Sequence, residues 1–266
     1  MGYIKRYIQS LIASVFRKYR FKKFRVSEYQ KKSSTLFILG TGNSVNDITK
    51  EDFEKIKNYD SFSINFFILH EFLTDIYMFE YIRDTERMLL WIETMREKIK
   101  RDMFRYILTS NLTLEKLKLP QYYPMRKFVY GRLKDNLAYY YVMLASCRTV
   151  KSLKYLNLFH RILPANIMLH VRGSLSVALN FAIRRKFKNI VLCGIDLDDA
   201  GNFFEFSDSF QVSTGVHKTS LPIGGLSPID EYVKFVVRHY VDIKFYVWSP
   251  KSKLSKVIEV FNWNKL

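Results

Sequence analysis

Residues 36–48 read "LFILGTGNSVNDI". An apolar run enters Gly40, and Thr41, Gly42, Asn43 and Ser44 follow. A short, continuous apolar run closed by glycine is the pattern of a strand buried on both faces, as in a parallel sheet. The residues after it can bring bare backbone and short polar side chains close to a ligand. As a phosphate loop the stretch is incomplete. Val45 stands where the dinucleotide fingerprint has its third glycine, and no P-loop lysine follows.

Around this stretch the chain alternates. "TKEDFEKIKNY" predicts a helix with Thr49 as N-cap and Asp52 in its first turn. "DSFSINFFIL" and "DIYMFEY" predict strands. Residues 85–165 read as mainly helical and carry no interpretable motif. "SLSVALNFAIRRKF" predicts a helix with a serine-rich start, and "KNIVLCGID" a buried strand running into glycine and an acid. "PIDEYVKFVVRHY" predicts a helix and "DIKFYVWSP" a closing strand. Strands alternating with helices predict an α/β fold, a parallel sheet flanked by helices on both faces.

The chain has 266 residues, 48% of them hydrophobic, enough for one substantial core. Forty-three Lys and Arg against 25 Asp and Glu give a net charge of +18, which draws the protein to polyanions without choosing among them. Two cysteines, Cys147 and Cys193, make neither a disulfide framework nor a zinc site and suit a reducing compartment. No apolar run approaches the roughly 18 residues that span a bilayer. The first residues do not read as a secretory signal, because Lys5, Arg6 and the cations from Arg17 onward bracket a broken apolar stretch.

Residues 1–32 stand apart from 33–266. Ile4, Ile8, Leu11, Ile12, Val15 and Phe16 recur at helical spacing, and ten cations against Glu28 alone give +9, half of the total. Such a segment suits an interfacial helix on an anionic membrane surface, or a helix packed on the body with solvated lysines.

In open α/β sheets ligands bind at the carboxyl ends of strands. The predicted strand ends offer Gly40, Gly42, Asn43 and Ser44, then Asn65, then Gly194, Asp196, Asp198 and Asp199. The helix beginning near Gly173 offers Ser174 and Ser176 at its amino end, where free N–H groups favour an anion. Together they suggest a nucleotide site.

Four blocks in order, "FILGTGNSVNDI", "FSINFF", "HVRGSLSVALNFAIRRKFKNIVLCGID" and "IKFYVWSP", resemble the bacterial sialyltransferases of glycosyltransferase family 42. More distantly they resemble the flagellin nonulosonic acid transferases and the lipopolysaccharide Kdo transferases. The third block is the most specific, and residues 85–165 take no part. The resemblance implies a Rossmann-like fold that binds a CMP-activated sugar acid. It implies donor contacts at Gly42, Asn43 and Ser44, at Asn65, at Ser174, and at the Gly194–Ile195–Asp196 turn. A second family asparagine falls on Glu80, which departs from the pattern.

The family's catalytic base is a histidine on a mobile segment beyond the Gly-Ile-Asp turn. Of His70, His160, His170, His217 and His239, only His217 lies in a polar, glycine-containing stretch downstream of it, within an expected lid over about 199–220. The family's two phosphate-contacting tyrosines fall on Asp198 and Phe204, neither of which supplies a phenol. Arg172, beside Gly173, and Lys218 are then the nearest cations for the phosphate.

The resemblance implies an inverting transferase acting on a lipopolysaccharide, lipooligosaccharide or capsule hydroxyl at the cytoplasmic face of the inner membrane. It requires no cofactor and no metal, and a homo-oligomer remains open. Asp196, Asp198 and Asp199 in "IDLDDAG" keep a metal-dependent transferase with a diphosphate donor in view. "QYYPMRKFVYGRLK" interleaves aromatics with cations as nucleic-acid binders do, but it contains no known RNA-binding motif, so nucleic acid is not an expected partner. A catalytically inactive scaffold is the third alternative.

Overall fold

The structure is a computed structural model and describes residues 21–100, 104–133, 135–144, 162–171, 173–197, 201–204 and 229–266. Its described strands form one sheet. They are β1 (Lys22–Lys23), β2 (Thr35–Leu39), β3 (Asp60–Ile64), β4 (Ile76–Phe79), β5 (Tyr106–Ser110), β6 (Leu137–Leu144), β7 (Ile167–His170), β8 (Asn189–Cys193), β9 (Lys244–Val247) and β10 (Glu259–Val260). The order is β1-β6-β5-β4-β3-β2-β8-β9-β10, and β7 pairs with β6. Every described pairing between these strands is parallel.

The opening stretch explains the layering. All five residues of β2 are buried, and successive side chains point to opposite faces. Leu36 and Ile38 enter one core with Phe62, Leu179 and Phe181, whereas Phe37 and Leu39 enter a second core with Phe53, Ile56 and Val191. The first core is covered by α5 (Ser174–Arg184), the second by α1 (Lys50–Ile56). The α/β expectation with helices on both faces therefore holds. Thr49 caps α1 as expected, with its side chain accepting from the Asp52 N–H at 3.1 Å and Asp52 completing a capping box.

Two expectations change. Residues 85–165 contain the helices α2 (Thr85–Lys100), α3 (Asn111–Lys116) and α4 (Tyr123–Arg132), but β5 and β6 lie among them and extend the main sheet. The described part of this region is thus not a helical insertion. "YYYVML" reads ambiguously as an isolated apolar run, and its parallel neighbours decide for strand.

The second change concerns residues 21–32, which are not separate from the body. Phe21, Phe24, Val26 and Tyr29 are buried, and β1 pairs with β6. The Tyr29 hydroxyl donates to the buried Asp60 carboxylate at 2.7 Å, and the Lys32 and Ser33 backbone N–H groups donate to it at 3.0 and 2.8 Å. Burial together with this carboxylate pushes the Tyr29 phenol well above its ordinary range. Residues 1–20, the expected lid beyond residue 204 and Cys147 lie outside the described residues. No described helix is long and apolar enough to cross a membrane.

Candidate active site

The chain moves outward from β2 through β3, β4, β5 and β6, then returns to place β8 on the other side of β2. The β2/β8 boundary is therefore the point where strand order reverses, and the crevice beyond those strand ends is the expected ligand site.

Two short segments meet there. The Gly40 N–H donates to the Cys193 carbonyl, and the Gly42 N–H to the Gly194 carbonyl, each at 2.8 Å. A methyl group on Gly42 would overlap the Asp196 carboxylate and stand 2.9 Å from the Gly194 oxygen, so only glycine fits. Gly194 has φ +61°, a left-handed conformation that turns the chain sharply at the end of β8. The turn brings Asp196 under the first loop. Its carboxylate accepts from the Ser44 N–H at 2.9 Å and, through the other oxygen, from the Ser44 hydroxyl. The Asp196 side chain is buried, with 5% of the residue exposed.

This geometry divides the sequence-expected residues. Gly40, Gly42, Ser44, Gly194, Ile195 and Asp196 come together and satisfy one another. Their packing shapes the loop, and Asn43 stands exposed at its apex, its Oδ1 accepting from the Asn46 amide at 2.9 Å. Residues 202–203 lie against the same loop: Asn202 forms an antiparallel bridge with Gly42, and the Phe203 N–H donates to the Thr41 carbonyl at 3.0 Å. Phe203 packs on Phe67 and His70, and Phe204, where the resemblance wanted a phenol, packs on Phe66.

The second group lies at the next strand ends. β3 stops at Ile64, short of the expected strand, because Asn65 takes φ +52° and starts a tight turn. Asparagine tolerates that region better than most residues. A buried relay pins it there: Trp91 Nε1 donates to the Tyr77 hydroxyl at 2.6 Å, and that hydroxyl donates to the Asn65 carbonyl at 2.8 Å. The Asn65 amide thereby reaches Ser174 Oγ at 3.2 Å, beside Gly173 at the start of α5.

Sequence reasoning did not assign the partners of Ser174. Its hydroxyl donates to Glu80 Oε1 at 3.0 Å, and His170 Nε2 lies 3.1 Å from the same oxygen. Burial opposes the charge on Glu80, but the His170 bond and charge, with the Ser174 hydroxyl, hold its carboxyl below the ordinary range. A cavity of about 310 Å³ opens beside it, lined among others by Asn65, Phe66, Tyr81, Arg83 and Trp91. Glu80, which directly follows β4, is the position where the resemblance expected a second asparagine. His170 ends β7 and opens the third resembling block, and no local pattern joins it to Glu80.

Arg172, Asp198, His217 and Lys218 lie outside the described residues. Among the described residues no group of three or more His, Cys, Asp or Glu could hold a metal ion. The Cys193 thiol is buried, which pushes it well above its ordinary range.

A parallel sheet with a glycine-shaped crevice at its switch point defines a Rossmann-like protein. No known family's sequence model matches the chain, and no curated protein does. Similar solved structures include the sialyltransferase CstII from Campylobacter jejuni in complex with the substrate analogue CMP-3FNeuAc. That likeness has 18% identity and TM-score 0.46, and covers 85% of each chain. Another is the monofunctional alpha-2,3-sialyltransferase Cst-I from the same organism, at 18% identity and TM-score 0.48, covering 87% of this chain and 82% of that one.

Proposed function

We propose that the protein is an inverting glycosyltransferase that moves a sialic-acid-like sugar from a CMP donor to a hydroxyl of a surface glycan. The observation that carries this reading is the juxtaposition of two strand-end groups. The loop shaped by Ser44 and Asp196 lies at the switch point, and Asn65 and Ser174 stand at the neighbouring strand end and helix start. Nucleotides bind in such crevices, and the amino end of α5 supplies N–H groups suited to a phosphate. The first three sequence blocks that resemble sialyltransferases coincide with these elements, and the fourth forms β9 beside β8.

In the proposed reaction the acceptor oxygen forms a bond to the anomeric carbon as the bond from that carbon to the CMP phosphate oxygen breaks. CMP leaves with the electron pair, and the acceptor proton passes to His217. An unperturbed histidine pKa of about 6.5 suits that transfer near neutral pH. Arg172 and Lys218 are the proposed cations for the developing phosphate charge. Residues 1–20 are the proposed contact with anionic lipid at the cytoplasmic face of the inner membrane, where a lipid-linked acceptor would be met.

The test is thermal denaturation with CMP, CDP, UDP and GDP. A bound ligand raises the melting temperature by mass action, so CMP should give the largest shift. A larger shift with UDP or GDP would replace the proposed donor class.

A further inference from the structure

We propose that Glu80, braced by His170 and Ser174, selects the sugar by accepting a hydrogen bond from one of its hydroxyls. The inference deepens the reading above and rests on it. Glu80 is held through one oxygen: Oε1 receives both the Ser174 hydroxyl and the His170 ring nitrogen. No described residue donates to Oε2. The carboxylate lines the cavity of about 310 Å³, at the small end of the usual range for ligand pockets and large enough for a single sugar.

The remaining lining mixes aromatic rings with charges of both signs, Arg83 and Arg87 beside Asp84, and suits a polyhydroxylated polar ligand better than a lipid. Phe66 and Tyr81 offer aromatic surface for the C–H face of a ring, and Arg83, whose guanidinium lies over the Tyr81 ring, places positive charge among the lining residues. An ionised carboxylate accepts hydrogen bonds and donates none. Glu80 therefore demands a donor from the ligand, a hydroxyl or an amine, and disfavours a carboxylate or ester oxygen at that point. Ser174 joins this pocket to the Asn65 amide, so sugar and nucleotide would share one wall.

His170 is a positioning residue in this scheme. It ends β7, which β6 and β5 separate from β4 in the sheet order, and its contact with Oε1 fixes the orientation of the carboxylate.

The experiment measures dissociation constants for CMP and for CMP-3FNeuAc with the full chain and with its Glu80→Gln and His170→Gln variants. The expected result is that the sugar tightens binding to the unmodified protein. Glu80→Gln should lose about tenfold on CMP-3FNeuAc, the scale of one charge-assisted hydrogen bond, with CMP affinity within about twofold. His170→Gln should lose selectivity in the same direction, which a merely structural role would not do, since that would weaken both ligands together. If CMP binds and the ratio of the two constants is the same in all three proteins, the selection role of Glu80 is overturned. If the unmodified protein binds no CMP, the proposed function itself fails, a distinct outcome.

Discussion

The backbone N–H of Ser44 donates to the Asp196 carboxylate at 2.9 Å, joining the loop after β2 to the turn after β8 across 152 positions of sequence. The Ser44 hydroxyl takes the other carboxylate oxygen. Asp196→Ala should therefore leave a buried N–H without its partner and cost about 1–3 kcal/mol. Denaturant unfolding measures this, and a variant as stable as the parent would show that the two segments hold together without the carboxylate.

Asn43 should behave oppositely. Its side chain is exposed at the apex of the same loop and, among the described residues, is hydrogen-bonded to Asn46. Asn43→Ala should leave stability within about 0.5 kcal/mol, as exposed substitutions do, and should weaken CMP binding. Calorimetric titration with CMP checks this, and unchanged affinity in a folded variant would remove Asn43 from the site.

For His217 the expectation is kinetic. His217→Ala should lower turnover by about 100-fold or more, with little effect on CMP affinity, because the base meets the acceptor and not the cytidine. Rates from about pH 5 to about 9 bracket the ordinary histidine pKa. Near-normal turnover with an unaltered profile would pass the search to Asp198 and Asp199.

The two parts of the N-terminal segment should separate under truncation. Removing residues 1–20 should release the protein from anionic vesicles without lowering its melting temperature. Removing residues 1–32 also deletes Phe21, Phe24, Val26 and Tyr29 from the core. At roughly 1.5–3 kcal/mol for each buried large side chain, that loss rivals the whole stability of a domain. Co-sedimentation and circular dichroism on both truncations decide the matter. A 1–20 truncation that still sediments fully would move the membrane contact elsewhere.

Asp47 gives a pH-dependent test. The Lys251 ammonium donates to it at 2.7 Å and the Ser249 hydroxyl at 2.9 Å, and these bonds outweigh the cost of burial and hold its carboxyl below the ordinary range. A depressed folded-state pKa stabilises above the unfolded value of about 3.9 and is lost as pH falls through the folded one. Lys251 is largely solvent-exposed, so Asp47→Asn should cost only about 0.5 kcal/mol at neutral pH. The gap to the parent should close as pH falls through the depressed folded-state pKa, below the ordinary carboxylate range. A gap that persists there would be due to packing.

The sequence by itself determined the elements flanking the site. "TLFIL" with its glycine end, the Thr49–Asp52 cap and "NIVLC" before Gly194 each carry a local signal, because burial on both faces, N-terminal orphan donors and a left-handed turn all demand particular residue types nearby in the chain. Only the tertiary structure decided that β5 and β6 continue the sheet. A run such as "LAYYYVML" has no distinguishing period, and its state depends on neighbours distant in sequence. The same holds for the boundary of the N-terminal segment, since the charges of residues 21–32 are legible in sequence and the docking of Tyr29 on Asp60 is not. Asp196 reads in sequence as a ligand contact at a strand end, and the fold turns its carboxylate onto Ser44. Glu80 and His170 are 90 residues apart and meet at one oxygen because β4 and β7 end on the same edge of one parallel sheet, a proximity set by strand order and not by any local pattern.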